Sequence, residues 1–514
     1  MQLNKKIVIL FTALAFLNSA AKASGKVYDI TKYGARADGI TNNTVAIQKA
    51  IDEAAVNGGM VLIPAGKFVT GVITLKSNVE LHLAANAALL ATTKRIDYGA
   101  GNASALILAD GQHHIAITGK GTIDGQGDLL IKDIYRMLKD GILKDAEWQK
   151  YNEWHQMRPA EDNRPKLIQF KKCDNITIKN VTIKNGLDWI QDYRSCTNMV
   201  IDSIKVESNT YLNNDGIDLV DCKNVRLTNS SFNVADDGIC LKSHDPKDGC
   251  DHIYIADCSI RSSASAFKLG TASRGAFRNI TVRNLKIYDT YRSAIALESV
   301  DGAVLEHIDI RNVTAKNTGN AIFIRLGKRQ KNVNPGSVNG IYIANVKVQV
   351  PAGKPDAGYQ MEGPEVNGKH NVFPSSIVGI PGYPVQDVTL ENIDIVYEGG
   401  AKKEVAYFNT DTLAKIPEQI SDYPEFSMFG ELPAWGFYVR HAANIKLKNV
   451  SIGYKTTDFR TACVFDDVSG LNISGLNVSK AQTLPVVLYH KVSSLSVQKL
   501  TTPYKDKRAQ KVID

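Results

Sequence analysis

The chain has 514 residues, of which 44% are hydrophobic and 22% are charged, and this composition excludes an intrinsically disordered protein. Its length suits either several ordinary domains or one elongated array of repeats. The 39 glycines and 16 prolines are typical of a turn-rich β architecture, and the net charge of +8 suits a polyanionic partner without requiring one.

The first 23 residues have the pattern of a secretory signal peptide. A positive n-region precedes an apolar h-region at residues 7–17, and Ala21–Ala23 form a small-x-small cleavage site. The apolar run is too short to span a bilayer. We therefore expect a chain exported to the periplasm or the medium, with no membrane span.

One helix is predicted near the N-terminus. Residues 44–55 carry apolar side chains at helical spacing, and Asn57-Gly58-Gly59 ends the pattern. Strand-like segments follow at residues 60–66, 71–77 and 79–85. A single amphipathic helix before a long β array would cover its apolar open end, so we expect a capping helix here.

A repeat of two alternating runs separated by Asn, Asp, Ser or Gly begins at residue 175. Further units begin at residues 198, 224, 252 and 279, and the pattern returns at 340, 387, 444 and 471. Near-regular periods of this length with β alternation predict an all-β fold, a single-stranded right-handed parallel β-helix. We also expect the Asn side chains at the bends to form ladders between coils.

Three insertions near 128–165, 351–385 and 399–435 interrupt the repeat. The first has helical periodicity with Trp148 and Trp154, whereas the last contains Tyr407 and Phe426. Long loops on a solenoid usually gather on one face and wall a cleft. No linker is visible, so residues 24–514 are expected to form one domain.

Three aspartates stand out. Asp215 lies 21 residues before Asp236, slightly less than one coil, so the two should be neighbours on adjacent coils, and Asp237 follows directly. With coils about 4.8 Å apart, the three carboxylates would lie within roughly 5–9 Å. Clustered carboxylates repel one another, so one retains its proton to higher pH. An acid beside a base is the arrangement that glycosidic cleavage requires.

Two other interpretations of these aspartates remain. Asp-Gly pairs are ordinary turn residues, and three carboxylates also suit calcium. No calcium loop is recognisable nearby, and we expect neither a metal nor a cofactor.

Basic residues follow the acids on later coils, where they would bind uronate carboxylates. Each could instead be a solvated surface charge. The coil spacing places Lys268 and Arg292 on the same side as the aspartates; the full set of candidates is Lys242, His244, Lys268, Arg292 and Arg325.

The segments YGARADG, LKSNVELHL and GTIDGQG, together with Asn213-Asn214-Asp215 and Asp236-Asp237 at the separation of an NTD and a DD motif, carry a resemblance. They resemble glycoside hydrolase family 28, the polygalacturonases and related pectin hydrolases, over most of the chain to about residue 330. The resemblance implies an inverting hydrolase in which Asp236 is the general acid and Asp215 and Asp237 activate water. It also implies substrate binding by Asn213 and by Arg292, which matches the arginine of the family's RIK motif.

Two motif positions depart from the family. Its GHG motif is replaced by Ala264-Ser265-Ala266, and RIK is replaced by Arg292-Ser293-Ala294 or, four residues later, by Ala296-Leu297-Glu298. Lys268 is a candidate replacement for the lost lysine. These changes leave room for a hydrolase of rhamnogalacturonan or branched pectin.

The expected partner is thus an acidic pectic polysaccharide or oligosaccharide, with no nucleic acid, and the protein is expected to be a monomer. The first hypothesis is polygalacturonase-like hydrolysis, with attack from a chain end as one mode. A pectate lyase on the same fold and a non-catalytic glycan-binding β-helix are the alternatives.

Overall fold

The computed structural model describes residues 25–150, 157–366, 370–405, 410–505 and 507–513. The predicted signal peptide at residues 1–23 lies outside these ranges, as do Trp154 and Tyr407. Within them, no helix is both long enough and apolar enough to cross a membrane.

Strands dominate the described residues. The N-terminal strands are β1 Lys26–Asp29, β2 Asp38–Asn42, β3 Gly59–Ile63, β4 Gly66–Thr70, β5 Ile73–Thr74, β6 Val79–Leu83, β7 Ala87–Ala91, β8 Ile107–Asp110, β9 His113–Gly119 and β10 Thr122–Asp124. The central strands are β11 Ile168–Lys171, β12 Asp174–Lys179, β13 Thr182–Lys184, β14 Gln191–Arg194, β15 Thr197–Asp202, β16 Lys205–Ser208, β17 Ile217–Val220, β18 Lys223–Thr228, β19 Ser231–Val234, β20 Ile239–Ser243, β21 Gly249–Ala256, β22 Ser259–Ser262 and β23 Phe267–Ser273. The C-terminal strands are β24 Ala276–Ser299, β25 Val304–Leu326, β26 Ser337–Val350, β27 Ser375–Val378, β28 Val385–Gly399, β29 Ala434–Thr456, β30 Thr461–Val478, β31 Val487–Ser493, β32 Ser496–Thr501 and β33 Gln510–Ile513.

Helices are few in the described part of the chain. The α-helices are α1 Thr44–Asn57, α2 Gly127–Lys139 and the single turn α3 Thr410–Leu413. Short 3-10 turns occupy Ile30–Tyr33, Arg95–Tyr98, Glu161–Asn163, Lys403–Val405 and Lys507–Ala509. The helical pattern predicted within 128–165 is therefore confirmed for its first third.

The strands wind into the coils of a parallel β-helix. β11, β14, β17, β20 and β23 pair in parallel in that order, each with the strand one coil later. Apolar side chains at equivalent positions stack inside, as in the column Ile176, Met199, Val225 and Ile253. All four are buried, so one apolar core continues from coil to coil. The predicted β-helix is borne out, while its right hand remains a prediction.

The first helix lies where the sequence predicts it and extends two residues further. Ile47, Ala50, Ile51 and Ala54 of α1 are buried, and α1 packs against β1 and β3 at the start of the array. The capping role of α1 remains a prediction.

Asparagines at the bends form the expected ladder. Asn449 donates a side-chain hydrogen bond to Asn392 at 2.8 Å, Asn392 to Asn345 at 2.9 Å, and Asn345 to Asn312 at 3.0 Å. Each of the four has a positive φ of 51–61°, a backbone conformation that Asn tolerates better than most residues. The ladder thus satisfies both the side-chain amides and the backbone of the bend.

All seven cysteines are buried and unpaired: Cys173, Cys196, Cys222, Cys240, Cys250, Cys258 and Cys463. A buried free cysteine packs as a small apolar side chain.

Replacing the central ladder residue should destabilise the fold. Asn345→Ala removes two inter-coil hydrogen bonds and places at φ 56° a residue that tolerates the left-handed region less well than Asn, which together should cost about 1–2 kcal/mol. Urea unfolding followed by circular dichroism measures the loss. Asn345→Gly should cost less because glycine tolerates the positive φ.

Asn339→Ala is the matched control, since Asn339 is an exposed residue of the same strand. Equal unfolding midpoints for Asn345→Ala and Asn339→Ala would rule out a stabilising ladder.

Candidate active site

The backbone register decides which carboxylates are neighbours. β17 and β20 pair Ile217 with Ile239, and the amide of Gly216 donates to the carbonyl of Asp237 at 2.9 Å. This register sets Asp215 level with Asp237, whereas Asp236 is level with Asn214. The sequence-based pairing of Asp215 with Asp236 was therefore wrong by one residue, because the coil is 22 residues long here rather than 21.

The three aspartates differ in environment. Asp215 and Asp237 are buried, with 3% and 4% of their surface exposed, and one carboxylate oxygen from each lies within 4.8 Å of the other. Asp236 is half-buried, and its Oδ1 accepts the backbone N–H of Asp237 at 2.9 Å. The chain thus presents one accessible carboxyl group beside a buried pair.

Two lysines neutralise the buried pair from opposite sides. Lys242 Nζ lies 2.9 Å from Asp215 Oδ2 and also donates to Asp218. Lys268 Nζ lies 3.1 Å from Asp237 Oδ2 and 3.9 Å from Glu298 Oε2. These ammonium groups stand where a divalent cation would have to bind the same oxygens.

Burial and charge separate the proton affinities of the adjacent aspartates. Burial raises the pKa of Asp236, and repulsion from Asp237 raises it further against the opposing effect of Arg292. Burial alone would also raise the pKa of Asp237, but Lys268, Lys242 and Arg292 outweigh it and lower that pKa. The backbone N–H of Ser265, 3.1 Å from Asp237 Oδ1, favours the same ionised form.

The surrounding charges leave protons in the site at neutral pH. Burial raises the pKa of Asp218 to about 7 and that of Glu298 to about 7, in each case against a nearby lysine. Carboxyl groups outnumber cations in this cluster, which comprises Asp215, Asp218, Asp236, Asp237 and Glu298 with Lys242, Lys268 and Arg292. This balance places the pKa of Asp236 above that of its neighbour Asp237.

Backbone and side-chain contacts fix the loop before Asp215. Arg164, which is buried and belongs to the 128–165 insertion, donates from Nη2 to Asn213 Oδ1 at 2.9 Å. Asn214 donates to the carbonyl of Asp188 at 3.2 Å and accepts from Ser208 Oγ at 2.9 Å. Asn213 therefore lies at the site, with its side-chain oxygen already engaged.

Arg292 lies two coils beyond Asp236. Its backbone N–H donates to the carbonyl of Ala264 at 2.9 Å, and Ala264 is the residue level with Asp236 on the intervening coil. The Arg292 guanidinium reaches residues of the 399–435 insertion, with Nη2 3.5 Å from Glu425 Oε2. Arg292 belongs to the first of the two possible RIK alignments and Glu298 to the second, and both residues lie in the cluster.

Of the other predicted substrate-binding residues, Arg325 anchors loops, whereas binding by His244 remains a prediction. Arg325 is fully buried, and its guanidinium donates to the carbonyls of Gly379, Glu418 and Gln419. It therefore anchors loops and is not available to a ligand, which corrects the sequence-based assignment. The His244 side chain is half-buried and close to Arg194, and burial followed by that charge lowers its pKa.

The sequence reasoning missed two aromatic residues at the site. Trp189 has the ammonium groups of Lys242 and Lys166 at 4.1 and 4.4 Å from its ring centroid. The Tyr423 hydroxyl oxygen accepts a hydrogen bond from Lys268 Nζ at 3.3 Å. The sequence could have indicated Trp189, because it follows Asp188 directly in a short bend. No periodic pattern indicates Tyr423.

The arrangement can perform acid–base chemistry. Asp236 is an accessible proton donor, and the close Asp215 and Asp237 carboxylates can hold one water between them. Lys268 and Arg292 add positive charge beside this trio. A proton donor, carboxylates that can bind a water and cations for an anionic substrate are the components of hydrolytic cleavage of an acidic glycan.

Comparisons with known proteins agree with this chemistry. Residues 55–414 match Glycosyl hydrolases family 28. An exo-poly-alpha-D-galacturonosidase of Dickeya chrysanthemi is 31% identical over 259 residues, a match that covers 43% of this chain and 43% of that protein. An endo-polygalacturonase of Pectobacterium carotovorum subsp. carotovorum is 25% identical over 63% of this chain and 81% of its own length.

The solved exopolygalacturonase of Thermotoga maritima has a TM-score of 0.54 and 23% identity, and the alignment covers 73% of this chain and 87% of that chain. At this identity the similarity establishes a shared fold.

Removing Lys242 should destabilise the protein in a pH-dependent way. Lys242→Met leaves Asp215 and Asp218 buried without their cation, which should cost about 3 kcal/mol near neutral pH. Both carboxyls have pKa values above those of the unfolded chain, so their cost appears as the pH rises above about 4 and is absent at lower pH. Urea unfolding at pH 4 and pH 7.5 measures the difference.

The double variant Lys242→Met/Asp218→Asn serves as the control, because it removes one uncompensated charge and should recover part of the loss. A loss of equal size at both pH values would indicate a packing defect instead.

Proposed function

The chain belongs to glycosyl hydrolases family 28, and we propose that it is an inverting hydrolase that cleaves galacturonic-acid-containing pectic chains from an end. It is a glycoside hydrolase acting on O-glycosyl bonds. The observation that carries the finer proposal is the difference between the half-buried Asp236, whose pKa is raised, and the buried Asp215–Asp237 pair, in which the pKa of Asp237 is lowered.

The proposed reaction is a single displacement. Asp236 donates its proton to the glycosidic oxygen as the bond from that oxygen to the anomeric carbon breaks. A water held by Asp215 and Asp237 attacks the anomeric carbon from the opposite face, and Asp237 accepts the proton that this water loses. Two products result, a shortened chain and a sugar with inverted anomeric configuration, which is the outcome expected of direct attack by water.

Charge in the cleft supports an acidic sugar as the substrate. Lys268 lies next to Asp237, and Arg292 lies two coils beyond Asp236 on the same face. A guanidinium recognises a carboxylate in a bidentate manner, whereas an ammonium acts as a point charge. Together they would bind a uronate at the scissile residue, with Asn213 and Lys242 orienting the aspartates rather than the sugar.

Insertions beside both ends of the cluster support attack at a chain end. On one side, Tyr211 precedes the catalytic loop and its hydroxyl donates to the carbonyl of Met157 in the first insertion at 2.7 Å. On the other side, Tyr423 and Glu425 of the 399–435 insertion contact Lys268 and Arg292. Insertions that wall the cluster on two sides would admit a chain end more readily than the middle of a polymer.

The remaining parts of the proposal concern the protein as a whole. The N-terminal signal pattern supports export to the periplasm or the medium. One continuous apolar core supports a single catalytic domain over residues 24–514. Homogalacturonan is the first substrate to test, and rhamnogalacturonan is the second because Glu298 and Ser265 replace two residues of the family motifs.

Product analysis tests the substrate, the mode of attack and the stereochemistry together. Incubation with homogalacturonan should release short uronides while the polymer length falls slowly, and proton NMR should show the inverted anomer first. A rapid drop in viscosity would contradict attack from an end. New ultraviolet absorbance from an unsaturated uronate product would instead indicate a lyase.

Asp236→Asn is the control, because it preserves shape and removes the transferable proton. The rate constant kcat should fall by about 100- to 10,000-fold. Retention of near-normal kcat on the same polymer would exclude Asp236 as the acid.

The pH profile should report the charge beside Asp237. The base must be ionised and the acid protonated, so activity falls at low pH as Asp237 takes up a proton and at high pH as Asp236 loses one. Lys268 lowers the pKa of Asp237, and Lys268→Met should therefore move the acidic limb of the kcat/KM profile to higher pH. Lys268→Arg retains the charge and should leave that limb nearly in place; an unmoved limb in Lys268→Met would contradict the assignment.

A further inference from the structure

Residues 416–426, here called the strap, cross beside the cations of the cleft and are fixed at both ends. At the first end, Arg325 donates to the carbonyls of Glu418 and Gln419 at 2.7 and 2.9 Å. Arg440 holds the Glu418 carboxylate at 2.6 Å. At the second end, Phe426 packs edge-on against neighbouring aromatic rings at 5.2 and 6.2 Å. The residues between these ends are therefore held in place beside Lys268 and Arg292.

The strap brings a carboxylate to Arg292. Glu425 Oε2 lies 3.5 Å from Arg292 Nη2, while Glu425 Oε1 accepts from Ser427 Oγ at 3.1 Å. The Glu425 side chain is one-third exposed, whereas that of Arg292 is 11% exposed. An anionic group of the protein thus occupies the approach to the cation that the proposed function gives to the substrate.

The contact between these two groups is loose. Within the described residues, the Arg292 guanidinium donates no hydrogen bond, and its buried Nε has no partner. The ring of Tyr423, 5.9 Å away, provides only a cation–π contact. A guanidinium that is buried to this extent normally donates to a carboxylate through two N–H groups. The unused donors leave room for a better acceptor than Glu425.

We propose that Glu425 is a specificity-determining residue that competes with the substrate carboxylate for Arg292. The inference rests on the proposed function, since it takes a uronate as the ligand at this position. A free carboxylate that approaches Arg292 forms the bidentate pair, and Glu425 turns to the solvent that already reaches it. A methyl-esterified or neutral sugar offers no such exchange and leaves the Glu425–Arg292 pair intact. Glu425 therefore sets the specificity of the site by weakening the binding of the acid alone, which narrows the difference in affinity between the acid and its ester.

Calorimetric binding of trigalacturonate and of its methyl ester tests this exchange. Asp236→Asn serves as the background, so that the ligands are not consumed, and Glu425→Gln is compared with it. Removing the competing charge should tighten trigalacturonate binding by about two- to fivefold, the range of a partly exposed ion pair. Binding of the methyl ester should be unchanged.

Asp422→Asn is the matched control, because Asp422 is an exposed acid of the same strap. It removes the same charge without a contact to Arg292 and should alter neither affinity. Equal tightening by Asp422→Asn would overturn the inference in favour of a general charge effect. Weaker binding of trigalacturonate to Glu425→Gln would also overturn it, because Glu425 would then be positioning Arg292.

Two results separate this inference from the proposed function. If wild-type protein cleaves galacturonan but Glu425→Gln binds trigalacturonate no more tightly, only the inference fails. If the wild type neither cleaves galacturonan nor binds trigalacturonate, the proposed function fails, and the inference fails with it.

Discussion

The parallel backbone register between one coil and the next is the constraint on which the site depends. Hydrogen bonds between β17 and β20 set Ile217 against Ile239, and the same register carries Asp215 over Asp237. Neighbouring coils in the same column are longer, with 26 residues from Asp192 to Asp218 and 28 from Cys240 to Lys268. Because side chains alternate along an extended chain, a shift of one residue would exchange Asp237 for Asp236. The length of one coil thereby decides which aspartate joins the buried pair and which remains accessible.

Burying this many acids is unfavourable unless cations accompany them. Taking an isolated carboxylate out of water costs several kcal/mol, and the cost is relieved by a close opposite charge or by a retained proton. Both solutions occur here. Lys268 lowers the pKa of Asp237, whereas burial and the excess of carboxyl groups raise the pKa values of Asp215, Asp236 and Glu298 even where a lysine is close. The same electrostatic balance therefore gives the adjacent Asp236 and Asp237 carboxyl groups different proton affinities.

Most of the fold could be predicted from the sequence because a solenoid repeats. Alternation and period gave the β-helix, the bend asparagines gave the ladder, and the helix at 44–55 needed only a two-residue extension. The three aspartates, Lys268 and Arg292 were also found, since coil spacing determines the side on which a residue lies.

Finer features of the site depend on information that the period does not carry. The choice of Asp237 over Asp236 as the partner of Asp215 depends on how many residues a bend consumes. Arg325 was predicted to bind substrate, but its guanidinium donates to loop carbonyls instead. Tyr423 and Glu425 come from an insertion whose path follows tertiary anchors rather than sequence periodicity.

The departures from the family motifs are easier to understand in a stacked architecture than in a globular one. Adjacent coils lie about 4.8 Å apart, a distance shorter than an extended lysine side chain. A cation lost from one coil can therefore be replaced from the next without moving the backbone. Lys268 is on the coil before Glu298 and level with Ala296, and its ammonium lies between Asp237 and Glu298. At the second position, the backbone N–H of Ser265 reaches Asp237 where no imidazole is present. The positive environment of Asp237 is thus maintained by the geometry of neighbouring coils, and the motif residues are one of several ways to supply it.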